Sequence, residues 1–207
     1  MKITEIFYSI QGEGKQMGLP TIFVRLGGCN LQCDWCDTKY AWEGGKEMRI
    51  EEITEAVNDF SAKRICFTGG EPLIQDEIYE LIDTLIDEHE LSVETNGSLD
   101  ISKLTEMDLM ISMDYKTPSS LMAGKMKEEN LGLLREEDQL KFVIDDKRDY
   151  DYAKEIIGKH QIKAEIIFQP MGGKNMKKLV EWVLEEDLDV RVLPQLHKII
   201  WGDKKGV

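Results

Sequence analysis

The chain has 207 residues, 42% hydrophobic and 32% charged, the composition of a folded globular protein rather than a disordered one. Its 26 basic residues are outweighed by 40 acidic ones, and a net charge of −14 repels a polyanion, so nucleic acid is not an expected partner. No run approaches the roughly 18 consecutive apolar residues of a membrane span, and MKITEIFYSIQGEG lacks a charged segment ahead of an apolar one, so neither membrane nor secretory signal is expected.

The pattern alternates strand and helix along one expected domain, 1–207. Alternating or short apolar runs predict strands at Ile3–Ile10, Thr21–Leu26, Arg64–Thr68, Leu91–Thr95, Leu109–Met113, Gln139–Ile144, Ala164–Phe168 and Val190–Leu193. Helical periodicity predicts helices at Ile50–Phe60, Ile74–Glu88, Tyr150–His160 and Asn175–Glu186, the last with Leu179, Val180, Val183 and Leu184 on one face. This order favours an α/β fold with a mostly parallel sheet. Connections such as Asn96–Asp108 are too polar for a good helix, so the helix ring is expected to be incomplete. Polar, glycine-rich stretches follow the strands: GGCN after Leu26, GGEP after Thr68, NG after Thr95, DYKTPSS after Met113 and QPMGG after Phe168. Parallel α/β folds bind ligands at the carboxyl ends of strands, so these five loops are expected to converge.

Three of the four cysteines lie within RLGGCNLQCDWCDTKY, spaced Cys-x3-Cys-x2-Cys. Three thiolates can hold three irons of a cubane and leave the fourth open to an outside ligand. The other reading is structural zinc, which needs a fourth ligand. The remaining Cys66 sits in the apolar run RICFT, and His89, His160 and His197 are distant in sequence. Clustered thiols also suit a reducing compartment, the cytoplasm.

This loop, followed by Gly69-Gly70-Glu71-Pro72, resembles the radical S-adenosylmethionine superfamily. IFYSIQGEG, FVRLGGCNLQCDWCDT and RVLPQLHKIIWGDKKGV narrow the likeness to the 7-carboxy-7-deazaguanine synthases, over nearly the whole chain. The resemblance implies a shortened, modified partial barrel of six strands and three helices, working as a homodimer. It implies ring contraction of 6-carboxy-5,6,7,8-tetrahydropterin with loss of ammonia, serving 7-deazapurine modification of tRNA. The cofactors implied are a 4Fe–4S cluster, S-adenosylmethionine and Mg²⁺, with an external electron donor. The competing assignments are a glycyl-radical-enzyme activase and a non-catalytic zinc module.

Residue roles follow from the matched motifs. Cys29, Cys33 and Cys36 would hold the cluster, and Thr38 the magnesium. Trp35, Cys36, Asp37, Gly70, Glu71, Asp114, Lys116, Gln169, Pro170, Met171 and Gly172 would contact S-adenosylmethionine. Asp114 stands where the family stretch usually has serine. Ile10, Gln11, Gly12, Glu13, Arg25, Thr68, His197 and the carboxylate of Val207 would bind substrate, with Glu94 and Asn96 near the pocket. Gln11 and Glu13 offer the donors and acceptors an aminopyrimidinone edge requires, and the Arg25 fork suits a carboxylate. No side chain is needed as acid, base or nucleophile.

Overall fold

The computed structural model describes residues 1–207. Nine strands form one sheet: β1 (Lys2–Ile10), β2 (Pro20–Leu26), β3 (Lys46–Glu47), β4 (Arg64–Gly69), β5 (Glu90–Thr95), β6 (Met110–Asp114), β7 (Gln139–Ile144), β8 (Glu165–Pro170) and β9 (Arg191–Val192). Their order is β3-β1-β2-β4-β5-β6-β7-β8-β9. From β2 to β9 every neighbour is parallel, while β1 runs antiparallel to β2 and β3. Six of the parallel strands are full length, the two-residue β9 being a seventh. The sheet has two ends and is not closed, which is the partial barrel the resemblance implies.

The helices are α1 (Ile50–Asn58), α2 (Ile78–Leu85), α3 (Lys147–Lys159), α4 (Met176–Glu185) and α5 (Leu196–Trp201). That exceeds the three implied by resemblance. The connections β5–β6 and β6–β7 carry only 3-10 turns, as the polar composition there predicts, and the ring is incomplete. Expected boundaries moved where caps decided them. Asp146 accepts from Asp149 N at 3.0 Å and starts α3 three residues early. Pro72 forces a 3-10 turn at Pro72–Ile74, so α2 begins only at Ile78. In α4, Leu179 and Val183 are buried but Leu184 is 74% exposed, so its apolar face is narrower than predicted.

Period-two alternation gives the sheet two unlike faces. One packs on the helices through Ile22, Val24, Leu26, Ile65, Phe67, Val93, Ile111, Leu140 and Phe142, all fully buried. Each such side chain contributes about 2 kcal/mol by leaving water, and truncating Phe67 or Phe142 would open a cavity between sheet and helices. The other face carries Arg25, Thr68, Glu94, Ser112 and Gln139 in register across neighbouring strands, with Asp114 beside Lys141. The β1–β2 loop crosses under this polar face. Lys15 donates from Nζ to the carbonyls of Glu136 and Glu137 at 3.0 Å, and its backbone N to Gln139 Oε1 at 2.6 Å. The loop thus floors the half-barrel and carries Gln11–Glu13 into its centre.

Candidate active site

A cavity of about 440 Å³ opens on the polar face at the carboxyl ends of the strands. All five glycine-rich loops reach it, contributing among others Cys29, Gly70, Asn96, Lys116 and Gly172. Of the residues singled out from sequence, Cys29, Cys33, Trp35, Cys36, Asp37, Thr38, Gly70, Asp114, Lys116, Met171 and Gly172 line it. So do Ile10, Gln11, Gly12, Glu13, Arg25, Thr68, Glu94, Asn96, His197 and Val207. Glu71, Gln169 and Pro170 do not.

Glu71 is fully buried and braces two loops, accepting from Leu73 N at 3.1 Å, Thr95 Oγ1 at 2.8 Å and Asn96 N at 2.6 Å. Its side chain is a strut, and only the neighbouring Gly69 and Gly70 border the cavity. Pro170 ends β8 on the helix side. Gln169 is fully buried beside the cavity-lining Val143, and neither its Oε1 nor its Nε2 has a hydrogen-bond partner. A native buried amide without partners marks a place where a further group belongs.

The cysteine loop is held from several sides. Asn96 Nδ2 donates to Asn30 Oδ1 at 3.0 Å and lies 3.9 Å from Cys29 Sγ. Glu71 N donates to the carbonyl of Gly28 at 2.8 Å. Trp35 Nε1 donates to Ser119 Oγ at 3.0 Å. All four cysteines are free thiols. Burial pushes the Cys29 and Cys33 thiols up, and iron ligation would reverse that. No group of three or more histidine, cysteine, aspartate or glutamate side chains converges on a point that one metal ion could occupy. Single-ion zinc needs such convergence, whereas a cubane takes one thiolate per iron. The three cysteines, facing one cavity, fit a cluster. Gly70 also lines the cavity and leaves no room for a side chain, since a Cβ there would lie 1.8 Å from the carbonyl oxygen of Gly28, so the end of β4 packs directly on the cysteine loop.

Across the cavity, Gln11 Nε2 donates to Glu94 Oε1 at 3.2 Å, and Thr68 Oγ1 to Glu94 Oε2 at 2.8 Å. Arg25 donates through Nε to Glu5 Oε1 at 2.7 Å, and Tyr40 OH donates to the same oxygen at 2.7 Å. The guanidinium lies 5.5 Å from the Phe7 centroid and 6.0 Å from that of Tyr40. Its terminal nitrogens make no hydrogen bond within the protein, leaving that edge of the fork for a carboxylate. The C-terminal segment folds over this end. Leu196 N donates to Gly12 O at 2.8 Å and Gln195 Nε2 to Glu13 Oε1 at 2.9 Å.

The site is laced with paired charges. Burial would raise the Glu13 carboxyl, but the charges of Lys141 and His197 outweigh it and hold it at about 2. Burial opposes ionisation of Asp37 too, yet His197, its Nε2 3.7 Å from Asp37 Oδ2, the hydrogen bond from Thr38 and the charge of Lys198 keep it well below the usual range. Burial would lower His197, but the Asp37 and Glu13 carboxylates raise it. Thr38 Oγ1 donates to Asp37 Oδ1 at 2.9 Å. That pair is an oxygen site for a cation only if ligand oxygens and water complete the shell. Lys141, Glu5, Tyr40 and Gln195 were not singled out from sequence. Lys141 and Glu5 were polar residues at inward strand positions, Tyr40 ended the cysteine stretch and Gln195 lay within LPQLH, signals that become meaningful only once the enclosed face is known.

Residues 23–167 match the radical SAM superfamily. A 7-carboxy-7-deazaguanine synthase from Thermoplasma acidophilum is 41% identical over 209 residues, covering 100% of both chains. One from Methanospirillum hungatei is 42% identical over 203 residues, covering 97% of this chain and 85% of the relative. The crystal structure of QueE from Escherichia coli matches with a TM-score of 0.78 at 24% identity, covering 95% of this chain and 94% of that one. At that identity the structural likeness speaks for the fold alone. The full-length relatives favour neither an activase nor a zinc module.

Proposed function

The chain belongs to the 7-carboxy-7-deazaguanine synthases of the radical SAM superfamily, and from that premise we propose that it forms its product from 6-carboxy-5,6,7,8-tetrahydropterin, releasing ammonia. It is a lyase that works with a 4Fe–4S cluster, S-adenosylmethionine and a reductant on a small molecule. When bound, cluster and cofactor supply one-electron chemistry that removes a hydrogen atom from the substrate. All other tasks fall to the protein.

In this reading Cys29, Cys33 and Cys36 hold the cluster. Gly69 and Gly70 bring bare backbone against the cofactor, with Trp35, Asp114 and Lys116 at one side and Met171 and Gly172 at the other. Gln11 and Glu13 take the aminopyrimidinone edge of the pterin, and Arg25 its carboxylate. Thr38, backed by Asp37, offers oxygen ligands to a Mg²⁺ that also contacts the substrate. His197 and Val207 cover the pocket and exclude water. The observation that carries the reading is one cavity lined by the cysteine loop, by QGEG and by Arg25, whose terminal nitrogens are unpaired.

All 207 residues act as a single domain, in the cytoplasm, where thiol ligands stay reduced. No helix is long and apolar enough to cross a membrane. A homodimer is supported by a groove lined by Tyr8, Pro20 and Trp201, beside Ile199 and Ile200 at 68% and 47% exposure. The test is anaerobic turnover of reconstituted protein with S-adenosylmethionine, reductant, Mg²⁺ and the pterin. Equal amounts of 7-carboxy-7-deazaguanine and ammonia, absent in Cys33→Ala, are expected. Cleavage of S-adenosylmethionine without either product would sink the substrate assignment.

A further inference from the structure

One buried cation stands between the two ligand regions and belongs to none of the family motifs. Lys141 projects from β7 onto the cavity face and is 2% exposed. Its Nζ lies 2.6 Å from Glu13 Oε2 and 3.2 Å from Asp114 Oδ1. Each carboxylate then reaches outward. Glu13 Oε1 takes the Gln195 amide at 2.9 Å. Asp114 Oδ2 takes the Lys116 ammonium at 3.2 Å, and that ammonium lies 5.4 Å from the Trp35 ring centroid. A chain of charge-assisted contacts therefore crosses the cavity from the C-terminal segment to the cysteine loop. Lys141 is the group that Glu13 and Asp114 share.

A buried ammonium costs several kcal/mol in lost hydration and persists only when paired. Here the pairing decides where two carboxylates sit. Without Lys141, Glu13 keeps only the neutral Gln195 amide as a hydrogen-bond partner. Asp114 Oδ1 is buried and has no aligned hydrogen bond even now, so the nearby ammonium is its only compensation. Glu13 can then swing toward solvent or take a proton, and Asp114, held by Lys116 at one oxygen alone, can turn about that contact. Glu13 faces the region assigned to substrate, and Asp114 the region assigned to cofactor.

We propose that Lys141 is a positioning residue, one ammonium that fixes Glu13 for substrate and Asp114 for S-adenosylmethionine. The substrate half rests on the pterin reading of the site. The assignment makes the two carboxylates separable by mutation. Losing the ammonium harms substrate binding through Glu13 and cofactor binding through Asp114, and removing Asp114 abolishes only the second effect.

The experiment uses the cluster-loaded enzyme and four proteins: wild type, Lys141→Met, Asp114→Ser and the double variant, with Lys141→Arg as the charge-keeping control. Cofactor affinity is read without turnover, from the EPR spectrum of the reduced cluster as S-adenosylmethionine is titrated. In Lys141→Met, KM for the pterin and Kd for S-adenosylmethionine each rise about tenfold, the worth of one charged hydrogen bond. Saturated kcat changes less than about threefold, because positioning of the ground-state complex is what was lost. Lys141→Arg recovers most of both affinities. In the Asp114→Ser background, Lys141→Met no longer changes cofactor affinity but still raises KM. Unchanged affinities in Lys141→Met, additive losses of cofactor affinity in the cycle, or a fall confined to kcat would each overturn the proposal. If Lys141→Met does not fold, the double variant, which lacks one unpaired carboxylate, is compared with Asp114→Ser. Failure of both to fold overturns the proposal in favour of a purely structural ion pair. A wrong pterin assignment shows itself separately, as no turnover by wild type, and leaves the cofactor cycle intact.

Discussion

Gly70→Ala is the sharpest test of how closely the two halves of the cofactor region are packed. A Cβ on Gly70 would lie 1.8 Å from the carbonyl oxygen of Gly28, 2.4 Å from its carbonyl carbon and 3.0 Å from Cys29 Cβ. Two of these atoms are backbone, so no side-chain rotation relieves the clash. Real Cβ contacts essentially never fall under 3.0 Å. The end of β4 and the cysteine loop must therefore part by more than an ångström. That separation breaks the bond from Glu71 N to Gly28 O, at 2.8 Å, at a cost of about 1 kcal/mol. The larger effect is on chemistry, since an ångström of misplacement costs about a hundredfold in rate. The assay is anaerobic release of 5′-deoxyadenosine, with iron and sulfide content and Tm measured in parallel. The release is expected to fall about a hundredfold, with a small loss of Tm. Gly124→Ala is the control, because a Cβ there meets nothing within 4 Å, and it should leave the rate unchanged. Gly70→Ala with full cluster content and wild-type cleavage would refute the reasoning.

Further outcomes follow from individual contacts. Arg25→Lys keeps the charge but loses both the fork and the Glu5 contact, so KM for the pterin should rise about tenfold with kcat nearly unchanged in steady-state kinetics. Glu13 bears on acid stability: burial would raise its carboxyl, but Lys141 and His197 hold it at about 2 rather than 4.5. A depressed carboxylate contributes stability above its unfolded value and loses it as pH falls through the folded one. In denaturant unfolding, the gap between wild type and Glu13→Gln should be widest from about pH 4.5 up to the deprotonation of His197, and shrink toward pH 2. Asp138 is fully buried, accepts from Ile111 N at 2.8 Å and pairs with Arg135 at 3.1 Å. Asp138→Asn should therefore cost about 3 kcal/mol of stability, read as a lower midpoint of denaturation, while KM stays as it was.

The mostly parallel sheet and the meeting of five loops were legible because parallel strands present their carboxyl ends together, and glycine and polar residues cluster where those ends become loops; the antiparallel edge made by β1 and the two-residue β3 was not. Cys66 was legible as a small buried hydrophobe from RICFT, and it is fully buried. Lys141 was not legible as a site residue. In QLKFVI, alternation separates two faces but cannot say that the polar face is enclosed, and a strand lysine on a polar face normally meets water. Glu5 was hidden in the same way in β1, opposite Arg25. Glu71 shows the opposite limit. Its motif pointed to the cofactor, but the hydrogen bonds of its side chain, which no local pattern encodes, turn it into a brace between loops. QPMGG divides for a geometric reason, since Gln169 and Pro170 are still within β8, and only Met171 and Gly172 have left the sheet to reach the cavity.

The central claim is that cofactor and pterin are held together in one cavity, close enough for a hydrogen atom to pass between them. It is tested most directly by turnover with the pterin deuterated at C6, followed by mass analysis of the recovered S-adenosylmethionine and 5′-deoxyadenosine. The account predicts deuterium in the adenosyl group. Product formation with the label found only in water or retained wholly at its original carbon would contradict it.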